Sequence, residues 1–218
     1  MHSVSEENYI KAIYHLQKGK ELVATNDIAA RMDTKASSVT DMLKKLADKN
    51  LAQYVPYKGS RLTEDGFKCA IQIIRKHRLW ELFLVEKLNF NWDEVHEIAE
   101  QLEHIQSQKL INQLDAYLGF PKHDPHGDPI PDSNGVMEHL EQIPLSQLAL
   151  NKNSRLTGIR DSSTEFLQYL DKHHIKLGSV LKVVDREVFD LSCSLMADDK
   201  ELHISKQIAD KLLVKTEG

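Results

Sequence analysis

Five of the six prolines in this 218-residue chain fall between Pro121 and Pro144. Proline fixes φ and donates no backbone hydrogen bond, so neither a long helix nor a central strand can run through such a stretch. Phe120–Asn134 therefore reads as an irregular connector, with chain of different texture on either side. Before it, apolar residues recur at helical spacing. From about Ser154 they alternate in short runs separated by turn residues. The length allows one large domain or two modest ones. We expect boundaries at 1–74, 75–143, a linker over 144–153, and a small β-rich domain over 154–218.

The first part predicts three helices. Ser5–Gln17 carries the stripe Tyr9, Ile10, Ile13 and Leu16, with Ser5 as its cap. Thr25 caps Asn26–Arg31. After the turn Met32–Lys35, Ala36–Lys49 carries Val39, Met42, Leu43 and Leu46. Helix, short turn, helix is the helix-turn-helix plan. Two short strands, Leu51–Pro56 and Ser60–Leu62, flank Tyr57-Lys58-Gly59 as a wing. Ser37, Ser38, Thr40 and Asp41 open the second helix of the pair, with Lys35 before them and Lys44 one turn on. Small hydroxyls there can approach phosphates and base edges. With Lys58 and Arg61 on the wing, these are the candidate DNA-binding residues. Net charge is −5 overall but uneven: residues 1–76 hold 13 Lys and Arg against 9 Asp and Glu, and residues 77–218 hold 15 against 24. A basic arm suits phosphates and an acidic body suits cations.

The body predicts a long helix Glu64–Leu88 capped by Thr63, a helix from Asn91 or Asp93 to about Gln106, and one from Ser107 to near Gly119. Their chemistry lies in two clusters. One is His77 and Glu81. The other is His96, Glu100, Glu103 and His104, which fall on one helical face beside the apolar Val95, Ile98, Ala99, Leu102 and Ile105. Carboxylates and imidazoles converging on one face suit a divalent cation. A single His-x-x-x-Glu pair is commonplace on a solvated helix; two on neighbouring helices are more telling. The connector adds His123-Asp124-Pro125-His126. Val136–Leu148 reads as a short amphipathic helix and linker. Beyond it, Arg155–Arg160, Ser179–Asp185, Val188–Ser194 and Glu201–Ile204 read as strands, with a helix at Thr164–Lys172 and a turn at Ala197-Asp198-Asp199-Lys200. Cys69 and Cys193 imply no disulfide framework. Neither a membrane span nor a signal-peptide core is indicated, and a reducing cytoplasm is the simplest compartment.

These residues resemble the DtxR/MntR family of metal-dependent transcriptional repressors over almost the whole chain. The strings that carry the resemblance are Tyr9-Ile10-Lys11-Ala12-Ile13-Tyr14, Arg75-Lys76-His77-Arg78-Leu79-Trp80-Glu81, Val95-His96-Glu97, Glu103-His104 and His126-Gly127-Asp128-Pro129-Ile130-Pro131. The resemblance implies a mainly α fold with a small β part: an N-terminal winged helix-turn-helix, a helical dimerisation domain and a C-terminal SH3-like (FeoA-like) β-barrel. It implies a homodimer on double-stranded operator DNA, controlling metal-uptake genes. It also implies one metal site from Asn8, His77, Glu100, Glu103 and His104, and a second from Glu81, His96, Asp124, His126 and Asp161, with Glu165 a lesser candidate. Asn8 stands where the family places Asp or Met, and Lys11 where the manganese branch can place Glu. The carboxylate of Glu100, where iron-type members carry Cys, points to Mn²⁺, with Fe²⁺ as the alternative.

Two other classes stay open at this level. A carboxylate-bridged di-metal helical enzyme would need a second Glu-x-x-His set and has no use for the wing. A metal-independent winged-helix DNA-binding protein would use the body only to dimerise.

Overall fold

The computed structural model describes residues 2–17, 19–138, 140–198 and 200–216. Asp199 of the expected turn, His139 of the expected helix over 136–148, and the outermost residues at each end lie outside that set. The chain forms two interleaved units, residues 1–77 with 100–113 and 131–136, and residues 78–99 with 114–130 and 137–218.

In the first unit, α1 (Val4–Gln17), α2 (Thr25–Arg31) and α3 (Ala36–Asp48) precede the hairpin β1 (Ala52–Val55) and β2 (Gly59–Leu62). Helix α1 starts a residue earlier than Ser5 predicts. Its cap is Ser3: Glu6 N donates to Ser3 Oγ, and Ser3 N donates to Glu6 Oε2 at 2.9 Å, a reciprocal capping box. Thr25 is the first helical residue of α2 rather than its cap. Ile10, Ile13, Ile28, Val39, Leu43 and Leu46 share a buried core with Val23, Leu62 and Ile73. The periodic apolar faces of the three helices close on one another and on the hairpin. Gly59 starts β2 because a Cβ there would lie 2.3 Å from the Val23 carbonyl oxygen. Helix α4 (Glu64–Leu88), capped by Thr63 Oγ1, supplies residues to both units.

The second unit holds the rest of α4, most of α5 (Val95–Leu102), the end of α6 (Gln108–Tyr117), the connector and a six-stranded antiparallel sheet. The strands are β3 (Ile143–Pro144), β4 (Asn153–Ile159), β5 (Val180–Arg186), β6 (Cys193–Ala197), β7 (Lys200–Ile204) and β8 (Leu212–Thr216), in the order β3-β8-β4-β5-β6-β7. Helices α7 (Thr164–Lys172) and α8 (Lys206–Lys211) connect strands of this sheet. Its core includes Leu156, Leu167, Leu170, Leu181, Leu195 and Val214. Leu145 and Leu148, in the stretch read as a linker, are buried in the same core.

The expected SH3-like barrel does not form. Among the described residues no sheet closes: β3 and β7 are the two edges of an open sheet. Closure needs edge strands long enough to pair. Strand β3 has two residues, and one is Pro144, which offers no donor to extend a ladder. The last strand, β8, lies between β3 and β4, a non-local pairing that strand signals alone do not reveal. Residues 136–148 form no α-helix among those described; they give β3 and a 3₁₀ turn, Leu145–Gln147. Strand β6 begins at Cys193, leaving Val188 and Phe189 in an exposed loop. No helix of the structure is long and apolar enough to cross a membrane.

Candidate metal centre

Most of the candidate metal ligands fall into two clusters, one in each unit. In the second unit, Glu81 on α4, Asp124 and His126 are buried, each offering a ligand atom within 4.8 Å of the other two. The connector is shaped to deliver the last two. Asp124 Oδ1 accepts from His126 N at 2.8 Å and Asp128 N at 2.9 Å, and Gly127 N donates to the Asp124 carbonyl. Gly127 has φ +86°, and a Cβ there would lie 2.2 Å from Thr157 O, so only glycine fits between connector and β4. His126 Nε2 is 2.9 Å from the Trp92 carbonyl oxygen, which can only accept. That bond keeps a proton on Nε2, so Nδ1, which faces Glu81 Oε2 at 3.8 Å, is the nitrogen that can coordinate once its own proton has left. Half-exposed His96, on α5, has Nδ1 3.2 Å from the other Glu81 oxygen.

The electrostatics of this cluster are those of carboxylates buried close together. Burial, and next the charge of Glu81, push the Asp124 carboxyl up to about 7. Burial opposes the charged imidazole, yet the facing carboxylates raise His126 to about 9. Arg78 relieves part of the imbalance, with Nε 3.6 Å from Asp124 Oδ2. Two buried carboxylates and one correctly oriented imidazole make an oxygen-rich donor set that fits a hard divalent cation such as Mn²⁺ or Fe²⁺. Asp161 is not brought to this cluster. It pairs with Lys211 and accepts from Ser163 N at 2.9 Å.

The first unit holds the other cluster, and the sequence-derived picture of it changes. Helix α5 ends at Leu102, so Glu103 and His104 lie in the turn that follows, not on one continuous face with His96 and Glu100. Glu103 is fully buried, with Oε2 2.6 Å from His77 Nδ1. His104 Nδ1 is 2.6 Å from Glu7 Oε2, and Gln106 Nε2 donates to Glu7 Oε1 at 2.8 Å. Lys11 Nζ lies 2.7 and 2.8 Å from the two Glu103 oxygens and 3.4 Å from Glu100 Oε1. The α1 carboxylate that meets the cluster is therefore Glu7, while Asn8 is half-buried beside it. Glu7 and Lys11 were not among the sequence candidates. Their signal was two charged residues four apart at the edge of α1's apolar stripe.

The candidate DNA-binding residues lie together in the same unit. Lys35 precedes α3; Ser37, Ser38, Asp41 and Lys44 are exposed on it, and Thr40 bonds back to the Ala36 carbonyl. Thr40, Lys44 and Lys58 line a groove of about 580 Å³ with Thr25, Asn26 and Tyr57, between the helices and the wing. Arg61 is exposed on β2, held to Gln53 at 2.8 Å.

The chain is similar to known proteins. The family described as "Iron dependent repressor, N-terminal DNA binding domain" matches residues 1–60. "Iron dependent repressor, metal binding and dimerisation domain" matches residues 63–132. "FeoA domain" matches residues 143–216, so the C-terminal part has the FeoA-like kinship expected, without the SH3-like barrel. The iron-dependent repressor IdeR of Mycobacterium tuberculosis is 33% identical over 125 residues, covering 57% of this chain and 54% of that protein. The chain thus spans about half the length of that curated relative. The diphtheria toxin repressor of Corynebacterium diphtheriae is 24% identical over 220 residues, covering 96% of each. A solved structure described as a manganese-dependent transcriptional repressor in complex with manganese superimposes with a TM-score of 0.85 at 33% identity, covering 97% of this chain and all of that one. These relatives are repressors, not enzymes. With both N-terminal modules, the FeoA part and the full-length structural match in agreement, the chain belongs to the DtxR/MntR family of metal-dependent transcriptional repressors.

Proposed function

We propose that this protein is a cytoplasmic, homodimeric repressor that binds operator DNA when Mn²⁺ is plentiful, Fe²⁺ being the alternative ion, and so shuts off metal-uptake genes. The observation that carries the reading is the buried Glu81–Asp124–His126 cluster, whose imidazole is already oriented by the Trp92 carbonyl. These three residues hold the cation, with His96 beside Glu81. Residues 1–74 serve DNA binding, residues 75–143 metal binding and dimerisation, and the FeoA part follows the stretch 144–153. Lys35, Lys44, Lys58 and Arg61 meet phosphates, while Ser37, Ser38, Thr40 and Asp41 face base edges at the start of α3. A bound cation would supply positive charge to two buried carboxylates in place of the protons they and His126 otherwise hold. It acts on DNA affinity only through preferring the DNA-competent arrangement of the chain.

The test is a DNA-binding titration on a palindromic promoter with chelator, Mn²⁺, Fe²⁺ and Zn²⁺ in parallel. A coupling of ~1–3 kcal/mol strengthens binding roughly 5- to 150-fold over chelator. Equal affinity in all four conditions would return the protein to the metal-independent class.

A further inference from the structure

The first-unit cluster poses a question that the second does not. A fully buried carboxylate such as Glu103 requires a cation or a full set of donors around it. Here that cation belongs to the chain. The ammonium of Lys11, on a side chain only 13% exposed, reaches both Glu103 oxygens and the nearer oxygen of Glu100. An ammonium is a compact charge with three donors, and three carboxylate oxygens surround it. The two imidazoles are engaged as well, His77 through Nδ1 to Glu103 and His104 through Nδ1 to Glu7. The residue that follows Glu7 on α1 is Asn8, not a further acid. A divalent ion entering among Glu100, Glu103 and His104 would have to expel the ammonium or lie beside it against like-charge repulsion.

We propose that Lys11 is the resident cation of the first-unit cluster. It ties α1 to Glu100 and Glu103 through an ion pair that does not depend on metal supply. The activating ion is then held at Glu81, Asp124 and His126 alone, one per chain. This rests on the reading of that cluster as the metal site, and the experiment separates the two.

Metal-stripped full-length protein is titrated with Mn²⁺ by equilibrium dialysis. Wild type takes up one ion per chain. Glu103→Gln still takes up one, because its carboxylate serves Lys11. His126→Ala takes up none. Lys11→Glu, which removes the ammonium and adds a carboxylate, takes up two, and Lys11→Glu with His126→Ala takes up one. Two ions on wild type falling to one in Glu103→Gln would mean that metal displaces the lysine; the inference fails while the second-unit site stands. One ion on wild type that survives His126→Ala and is lost in Glu103→Gln would overturn both. If the Lys11 variants do not fold, the wild-type and Glu103→Gln counts still decide. Hydrogen exchange of the α1 amides gives a second readout on unmodified protein. They are protected without metal, and Mn²⁺ leaves them unchanged. Protection that appears only with Mn²⁺ would show that the tie is made by metal and would overturn the proposal.

Discussion

At the scale of single residues, the protonation of the second-unit cluster predicts how it takes up metal. Asp124 sits at about 7 and His126 at about 9, so at neutral pH protons occupy places that a cation needs. A ligand must be deprotonated to coordinate, and metal binding therefore releases protons. Raising the pH from 6 to 8 removes the Asp124 proton, while the His126 proton must still be displaced by the ion, so Mn²⁺ affinity should rise by up to about tenfold per unit for each proton displaced. Mn²⁺ titrations at pH 6, 7 and 8 in weakly coordinating buffers check this, and an affinity flat across that range would rule out these ligands. The constellation was half legible in the sequence. Asp124, His126 and Gly127 sit within four residues, and Glu81 follows from helix spacing. Asp161 was expected in the same set, yet it answers Lys211. That partner is fifty residues away in the chain, and no local signal announces it.

At the scale of elements, the link between α1 and α3 has a testable electrostatic component. Glu6 is buried at the start of α1, where it closes the capping box and meets Lys49 at 2.7 Å and Lys45 at 3.0 Å from α3. The hydrogen bond from Lys49 is the main reason its carboxyl falls to about 2, against the opposing effect of burial. A depressed folded pKa stabilises the protein above the unfolded value of about 4.5, and that stability is lost as pH falls toward 2. Glu6→Gln should cost about 1–2 kcal/mol at pH 7, because the amide keeps the capping box but loses the charge-assisted bonds to Lys45 and Lys49. Urea melts of both chains at pH 7 and pH 3 should show the wild-type advantage shrinking in acid; an unchanged gap would remove Glu6 from this role. The three helices of the first unit were readable because apolar spacing is local. Their caps were misread at α1 and α2, because several hydroxyl residues near a helix start can serve and backbone geometry selects among them.

At the scale of the whole molecule, charge is divided along the chain: an excess of four positive residues through position 76 and of nine negative ones after it. Of the cations in that stretch, Lys35, Lys44, Lys58 and Arg61 are exposed on or beside α3 and the wing, so DNA affinity should depend steeply on salt. Lys44→Ala and Lys58→Ala should each weaken binding on every sequence and reduce the slope of log affinity against log salt by about one. Fluorescence anisotropy from low to moderate salt measures it. Slopes equal to wild type would place the phosphate contacts on another surface.

Local sequence was enough to read the winged helix-turn-helix, the long α4 and the proline-broken connector. Helical period, alternation, glycine and proline are written within a few neighbouring positions. Tertiary structure decided which residues meet. Lys11 faces Glu103 across 92 positions, and His126 meets the Trp92 carbonyl across 34. The same holds for the sheet: β8 enters between β3 and β4, leaving it open where a barrel was expected. Such pairings depend on burial and on complementary charge between distant segments, and neither is encoded in the spacing of any one of them.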